Sequence, residues 1–235
     1  MRWSVLASVL VIAACSETAT TGIDTRPVVS SAQVDTVRRS PGVAARQFLE
    51  VVKTIEPVAE RECRRRAAGV NCDFKIVVDD RVNAPSNAYQ FLDKSGQPII
   101  AFTLAMIAEA RNADELAFVM GHEAAHHIRG HLARQRDAAQ AAAVVFAGLA
   151  VLTGATAQGV ESATELGAAV GARTYSKDYE LEADALGTVI TMRAGYDPVK
   201  GSEFFTRIPD PGNRFLGSHP PNVQRRATVL RAAGL

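Results

Sequence analysis

Apolar residues recur at helical spacing in several stretches of this chain and at strand spacing in a short stretch between them. Ala44 to about Ala68 reads as a helix, with Pro57 marking a kink or break. Phe74-Lys75-Ile76-Val77-Val78 is short and β-branched, the clearest strand. Tyr89–Leu92 and Pro98–Phe102 pair with it, turning through Asp93-Lys94-Ser95-Gly96, and Pro98 suits an edge position because it cannot donate to a ladder. Asn112-Ala113-Asp114-Glu115 then looks like a helix start, with Asn112 as N-cap and Glu115 closing a capping box. Leu116, Val119 and Met120 continue as an apolar stripe. A further helix runs from Tyr179 through Leu186 and Ile190.

Between these helices, residues 138–159 carry no charge. They are dominated by Ala, Gly and Thr, and a single span there would put His122 and Glu180 on opposite sides of a membrane. Glu161, Glu165 and Arg173 interrupt the next stretch and leave no room for a second span. Residues 138–159 are expected to form close-packed or lid-like helices that touch a membrane surface at most.

The ends of the chain are organised differently. Arg2 precedes an apolar run from Trp3 to Ala13, too short for a stable span but suited to a signal peptide over residues 1–14. Residues 15–43 read as a flexible tether and residues 44–235 as one catalytic domain. Composition is that of a globular protein, 47% hydrophobic and 22% charged, and the net charge of +1 argues against nucleic-acid binding.

The candidate chemistry sits on the helix after Asn112. In His122-Glu123-Ala124-Ala125-His126 the two histidines are i and i+4, about 40° apart around the helix, so both imidazoles leave one face. Glu123 stands beside them, where a carboxylate can take a proton from water at a metal. A catalytic zinc needs a third protein ligand and an open position. Glu180 supplies it from the later helix, and Asp184, on the same face, orients one histidine. Glu182 points about 200° away from Glu180 and reads as solvated. His131 falls about 180° around from His122, so it and His127 read as polar positions on the far side. The metzincin pattern fails, since Arg129 and Leu132 stand where it requires glycine and histidine.

Asp114-Glu115-Leu116-Ala117, Gly121-His122-Glu123-Ala124-Ala125-His126, Glu180-Leu181-Glu182-Ala183-Asp184 and Ser218-His219-Pro220-Pro221 together resemble the HtpX/BepA/LoiP-like zinc metalloendopeptidases, peptidase family 48. The resemblance runs from about Phe74 to the C-terminus. It implies an α+β, mainly helical, gluzincin-type domain with one small sheet beside the zinc helix. It implies one Zn2+ per chain on His122, His126 and Glu180, Glu123 as base, and support from Asp184 and Arg225. His219 would stabilise the substrate oxyanion or occupy the open position at rest. Lys177 departs from the family, which more often has arginine there. The implied role is proteolysis of misfolded or stalled envelope proteins, with outer-membrane assembly machinery as a partner. The alternative is a zinc-containing periplasmic chaperone or assembly factor.

Ile12-Ala13-Ala14-Cys15 resembles a bacterial lipobox, with Cys15 lipidated and the protein anchored to the outer membrane facing the periplasm; the alternative is an ordinary cleaved leader. Cys63 and Cys72 form an even pair in an exported chain, and a disulfide is expected ahead of zinc binding. The small sheet either supports the helix or offers an edge to an extended peptide.

Overall fold

Helix α1 (Pro41–Arg66) opens with Pro41 in its first turn, where the missing N–H is harmless. It ends on Arg64, Arg65 and Arg66, whose charges suit the negative helix terminus. The structure is a computed structural model and describes residues 40–174, 176–208 and 220–235. The expected leader, Cys15, most of the expected tether and His219 lie outside the described residues. Phe48, Val51, Ile55, Val58, Ala59 and Cys63 form the buried stripe of α1. The helix runs on through Pro57, so of the expected kink or break the break does not occur. Burying a full aliphatic side chain contributes about 1.5–3 kcal/mol, so Ile55 and Val58 flanking the proline outweigh one lost backbone bond.

Strands β1 (Lys75–Asp79), β2 (Ala88–Leu92) and β3 (Pro98–Thr103) form one sheet in the order β1-β3-β2. β1 pairs with β3, as expected, and runs parallel to it with Val77 opposite Ala101, whereas β2 pairs antiparallel with β3, Gln90 opposite Ile100, and not with β1. Every residue of β3 is buried. Pro98 is therefore not on an edge: it opens the middle strand, and the first residue of a strand tolerates a missing donor. The β2–β3 turn is held by Asp93, whose Oδ1 accepts from the Ser95 and Gln97 amides at 2.8 and 2.9 Å.

Thr103 caps α2 (Leu104–Glu109), and α3 (Ala113–Ile128) comes next. Asn112 Oδ1 accepts from the Glu115 amide at 2.9 Å as expected. The return bond differs, because Glu115 accepts from the Arg111 amide at 2.8 Å while Arg207 grips its carboxylate at 2.7 and 2.6 Å. Glu115 is buried, and the arginine supplies the charge its carboxylate needs there.

Helices α4 (His131–Leu152) and α5 (Ala157–Thr174) pack on each other as a hairpin that contains the uncharged stretch. Small residues let them close. A Cβ added to Gly167 would stand 2.6 Å from the Ala142 carbonyl oxygen. Among the described residues no helix is long and apolar enough to cross a membrane.

Helix α6 (Ser176–Arg193) lies along α3, and α8 (Asn222–Ala233) packs on α6. The short α7 (Pro198–Gly201) and a 3-10 turn over Ser202–Thr206 connect them. The main core joins α1, β3, α3 and α6, with Phe118, Phe205 and Val229 as a smaller cluster under α8. The architecture is the mainly helical α+β domain with one small sheet that the sequence implies.

Candidate metal centre

Helix α3 brings the Nε2 atoms of His122 and His126 to 3.0 Å of each other. Helix α6 adds Glu180, whose Oε2 is 3.5 Å from His122 Nε2 and whose Oε1 is 3.4 Å from His126 Nε2. Donors on a tetrahedral zinc with bonds of about 2.0–2.1 Å stand about 3.3 Å apart, so this set has the spacing that one small cation needs. Asp184 stays behind the cluster, with Oδ1 2.9 Å from His122 Nδ1. The His122 Nδ1–H thus donates to a carboxylate and leaves the Nε2 lone pair turned to the cluster. Arg225, from α8, donates from Nε and Nη2 to Asp184 at 2.8 and 2.7 Å. Its guanidinium rests 3.7 Å from the Phe205 ring centroid and 3.6 Å from Glu180 Oε2.

The electrostatics fit a cation. Burial opposes charge on His122, yet hydrogen bonds to Asp184 and Glu180, together with their charges, push its pKa up to about 10. Burial also raises the Asp184 carboxyl, but the bonds and charge of Arg225, with those of His122, outweigh it and hold that carboxyl below its usual range. Two largely buried carboxylates around one imidazole pair therefore favour positive charge at this point. Glu123 lines the same cleft, and burial raises its carboxyl above the usual range against the pull of the two histidines. The cleft holds about 830 Å³ and is also lined by Ala88, Tyr89 and Gln90 of β2 and by Phe204, Phe205 and Arg207.

Three sequence expectations change. His131 is not on a far helix face: its Nδ1 lies 2.9 Å from His126 Nδ1, and burial, then His126, lower its pKa to about 4. The reason is Gly130, left-handed at φ 66°, which ends α3 and re-aims the chain. His127 is also buried, with Nε2 2.8 Å from the Asn71 carbonyl oxygen and its ring edge-on to Phe74. Glu182 is not simply solvated, because Arg134 donates to it at 2.9 and 3.3 Å. Gly121 and Gly187, which sequence reasoning misses, let α3 and α6 touch. An isolated glycine inside a helical pattern is the signal that points to Gly187. Cys63 and Cys72 form the expected disulfide, with Cα atoms 5.6 Å apart.

The sequence matches the profile of the family described as Peptidase family M48 over residues 45–233. It is 31% identical over 157 residues to the beta-barrel assembly-enhancing protease of Yersinia pestis, covering 64% of this chain and 30% of that protein. The Escherichia coli K12 protein of the same name is 26% identical over 157 residues, with the same coverage of 64% and 30%. A Vibrio cholerae protein provisionally given this name is 33% identical over 129 residues, 52% of this chain and 26% of that protein. The match thus spans less than a third of the length of each relative.

Proposed function

The chain belongs to peptidase family M48, and we propose that it is a zinc-dependent endopeptidase of the bacterial envelope. The observation that carries this reading is the convergence of His122, His126 and Glu180 from two helices, with Glu123 beside them in an open cleft. These three side chains would hold the zinc. When bound, the ion supplies Lewis acidity, polarising a scissile carbonyl and making water more acidic.

The chain's own residues do the rest. Glu123 accepts the proton of the attacking water on its carboxylate and passes it to the leaving amine. Asp184 fixes the proton of His122 on Nδ1, and Arg225 keeps Asp184 charged and oriented. β2 pairs with β3 along one edge, and its residues line the cleft. An extended peptide would add to the other edge by backbone hydrogen bonds, which read little sequence and suit unfolded clients. By the family resemblance, His219, outside the described residues, would stabilise the substrate oxyanion or occupy the open position of the ion.

The relatives are named for enhancing beta-barrel assembly, which supports a link to barrel-assembly machinery; clients among misfolded or stalled envelope proteins follow from the family resemblance. The lipobox-like Ile12–Cys15 supports a lipid anchor at Cys15 facing the periplasm. A chaperone that only holds clients is the competing function. The test is cleavage of an unfolded outer-membrane β-barrel protein by purified wild type and Glu123→Gln. Loss of the base lowers the cleavage rate by about 10²–10⁴-fold while zinc stays bound. Equal rates for the two proteins overturn the peptidase reading.

A further inference from the structure

Each histidine of the pair has a partner behind it. For His122 that partner is Asp184. For His126 it is a third imidazole: His131 Nδ1 lies 2.9 Å from His126 Nδ1, with the rings edge to face, centroids 4.9 Å apart. A continuous helix would point His131 away. Gly130, at φ 66° and ψ 29°, stops α3 and restarts the helix so that His131 turns back onto His126.

His131 is itself tightly held. It is 4% exposed and lies flat against Tyr179, with centroids 4.7 Å apart and planes 10° from parallel. Its Nε2 is 3.3 Å from Glu182 Oε2. Arg134 donates to both oxygens of Glu182 and sits 4.2 Å from the centroid of Tyr179. Four side chains from α3, α4 and α6 thus form one connected chain ending on His126.

One arrangement of protons satisfies all of it. For His126 to offer its Nε2 lone pair, its proton must sit on Nδ1 and be donated to a bare His131 Nδ1. His131 then carries its proton on Nε2 and donates it to Glu182, whose charge Arg134 balances. The reverse arrangement puts a bare His131 nitrogen against a carboxylate and protonates His126 where it should bind metal. The Glu182 contact therefore selects the tautomer that the metal site requires.

We propose that His131 is a positioning residue that holds His126 in its metal-binding tautomer and orientation through the chain His126–His131–Glu182–Arg134. This inference rests on the reading of His126 as a zinc ligand. It makes His131 the counterpart of Asp184 on the other ligand histidine, with Glu182–Arg134 behind it as Arg225 stands behind Asp184.

The test measures zinc affinity of the full chain by competition with a chromogenic chelator, for wild type, His131→Phe and His131→Asn. Phe keeps the stacking on Tyr179 but has no acceptor; Asn places an oxygen near the former Nδ1. Loss of an outer partner weakens metal binding by about 10–100-fold, so His131→Phe should fall in that range while its circular dichroism is unchanged. His131→Asn should recover most of the loss. Wild-type affinity in His131→Phe, or equal weakness in both variants, overturns the proposal. If His131→Phe does not fold, Glu182→Leu breaks the chain from its exposed end, and unchanged zinc affinity there overturns it as well. A wild-type protein that binds no zinc overturns the metal-centre reading itself, and this one with it.

Discussion

The backbones of Gly187 and His122 meet where α6 crosses α3. A Cβ built on Gly187 would stand 2.9 Å from the His122 nitrogen and 3.0 Å from its Cα. Gly121 reciprocates, since a Cβ there would stand 3.0 Å from the Gly187 carbonyl oxygen. This close crossing lets Glu180 and Asp184, earlier on α6, reach the histidines of α3. Backbone cannot swing aside as a flexible side chain can, so Gly187→Ala must part the helices. Overpacking costs about 1–3 kcal/mol, and Gly187→Ala should show that loss in urea unfolding together with weaker zinc binding. Gly148→Ala in α4, where an added Cβ meets nothing within 4 Å, is the control and should leave zinc binding unchanged. Unaltered stability and zinc affinity in Gly187→Ala would show that the crossing does not position the site.

The features legible in the sequence are local ones. The i, i+4 histidines, the N-cap at Asn112 and the β-branched run at Ile76–Val78 each depend on neighbours within a turn or a strand, and each is found where expected. The features that differ depend on partners far along the chain. Pro57 by itself predicts a kink or a break, and burial of Ile55 and Val58 in the core carries the helix across it without a break. Pro98 reads as an edge residue because a proline that cannot donate is judged locally, whereas the place of β3 between β1 and β2 depends on pairing with strands on both sides. His131 is turned outward by a rule of about 100° per residue that presumes one continuous helix. Gly130 ends that helix, and a left-handed glycine just past a helical stretch is the signal that corrects it.

Arg225 is buried and gives two hydrogen bonds to Asp184, which is fully enclosed. Removing one partner leaves the other charge buried, which costs about 3–5 kcal/mol. Arg225→Met keeps much of the side chain's length but loses the guanidinium that lies over Phe205 and abandons the carboxylate. It should therefore lose stability in that range in denaturant unfolding and bind zinc more weakly, as His122 loses a fixed partner. A stability within experimental error of wild type would mean that Asp184 finds another donor.

The Cys63–Cys72 bridge closes a loop whose ends are 9 residues apart in sequence. Loop-entropy arguments give about 2–3 kcal/mol for such a ring. The same loop contributes the Asn71 carbonyl that accepts from His127 Nε2–H at 2.8 Å, one residue beyond His126. Cys63→Ser/Cys72→Ser, or reduction with dithiothreitol, should lower the melting temperature by roughly 5–10 °C for a domain of this size. Thermal unfolding monitored by circular dichroism reads it, and an unchanged melting temperature would show that packing alone holds the loop.

Glu62 is buried on α1 between three arginines. Arg66 and Arg65 donate to it from its own helix at 2.9 and 3.1 Å, and Arg193 pairs with it from α6. Burial alone would raise its carboxyl, but the hydrogen bonds of Arg66 and Arg193 and the charges of Arg193 and Arg65 win, leaving it below the usual range. A carboxylate whose pKa is lower folded than unfolded binds protons more readily in the unfolded chain. Its stabilisation is then fully present above the unfolded value near 4.5 and disappears as pH falls through the folded value. Glu62→Gln has no such proton to take up. It should be less stable than wild type by about 1–3 kcal/mol at pH 7, the cost of weakening buried hydrogen bonds to charged groups. Below pH 4.5 the gap should close as wild type loses its advantage. Denaturant unfolding of both proteins between pH 7 and pH 3 measures the difference directly, and a gap that stays constant or widens towards acid would mean that Glu62 does not hold α1 to α6 through its charge.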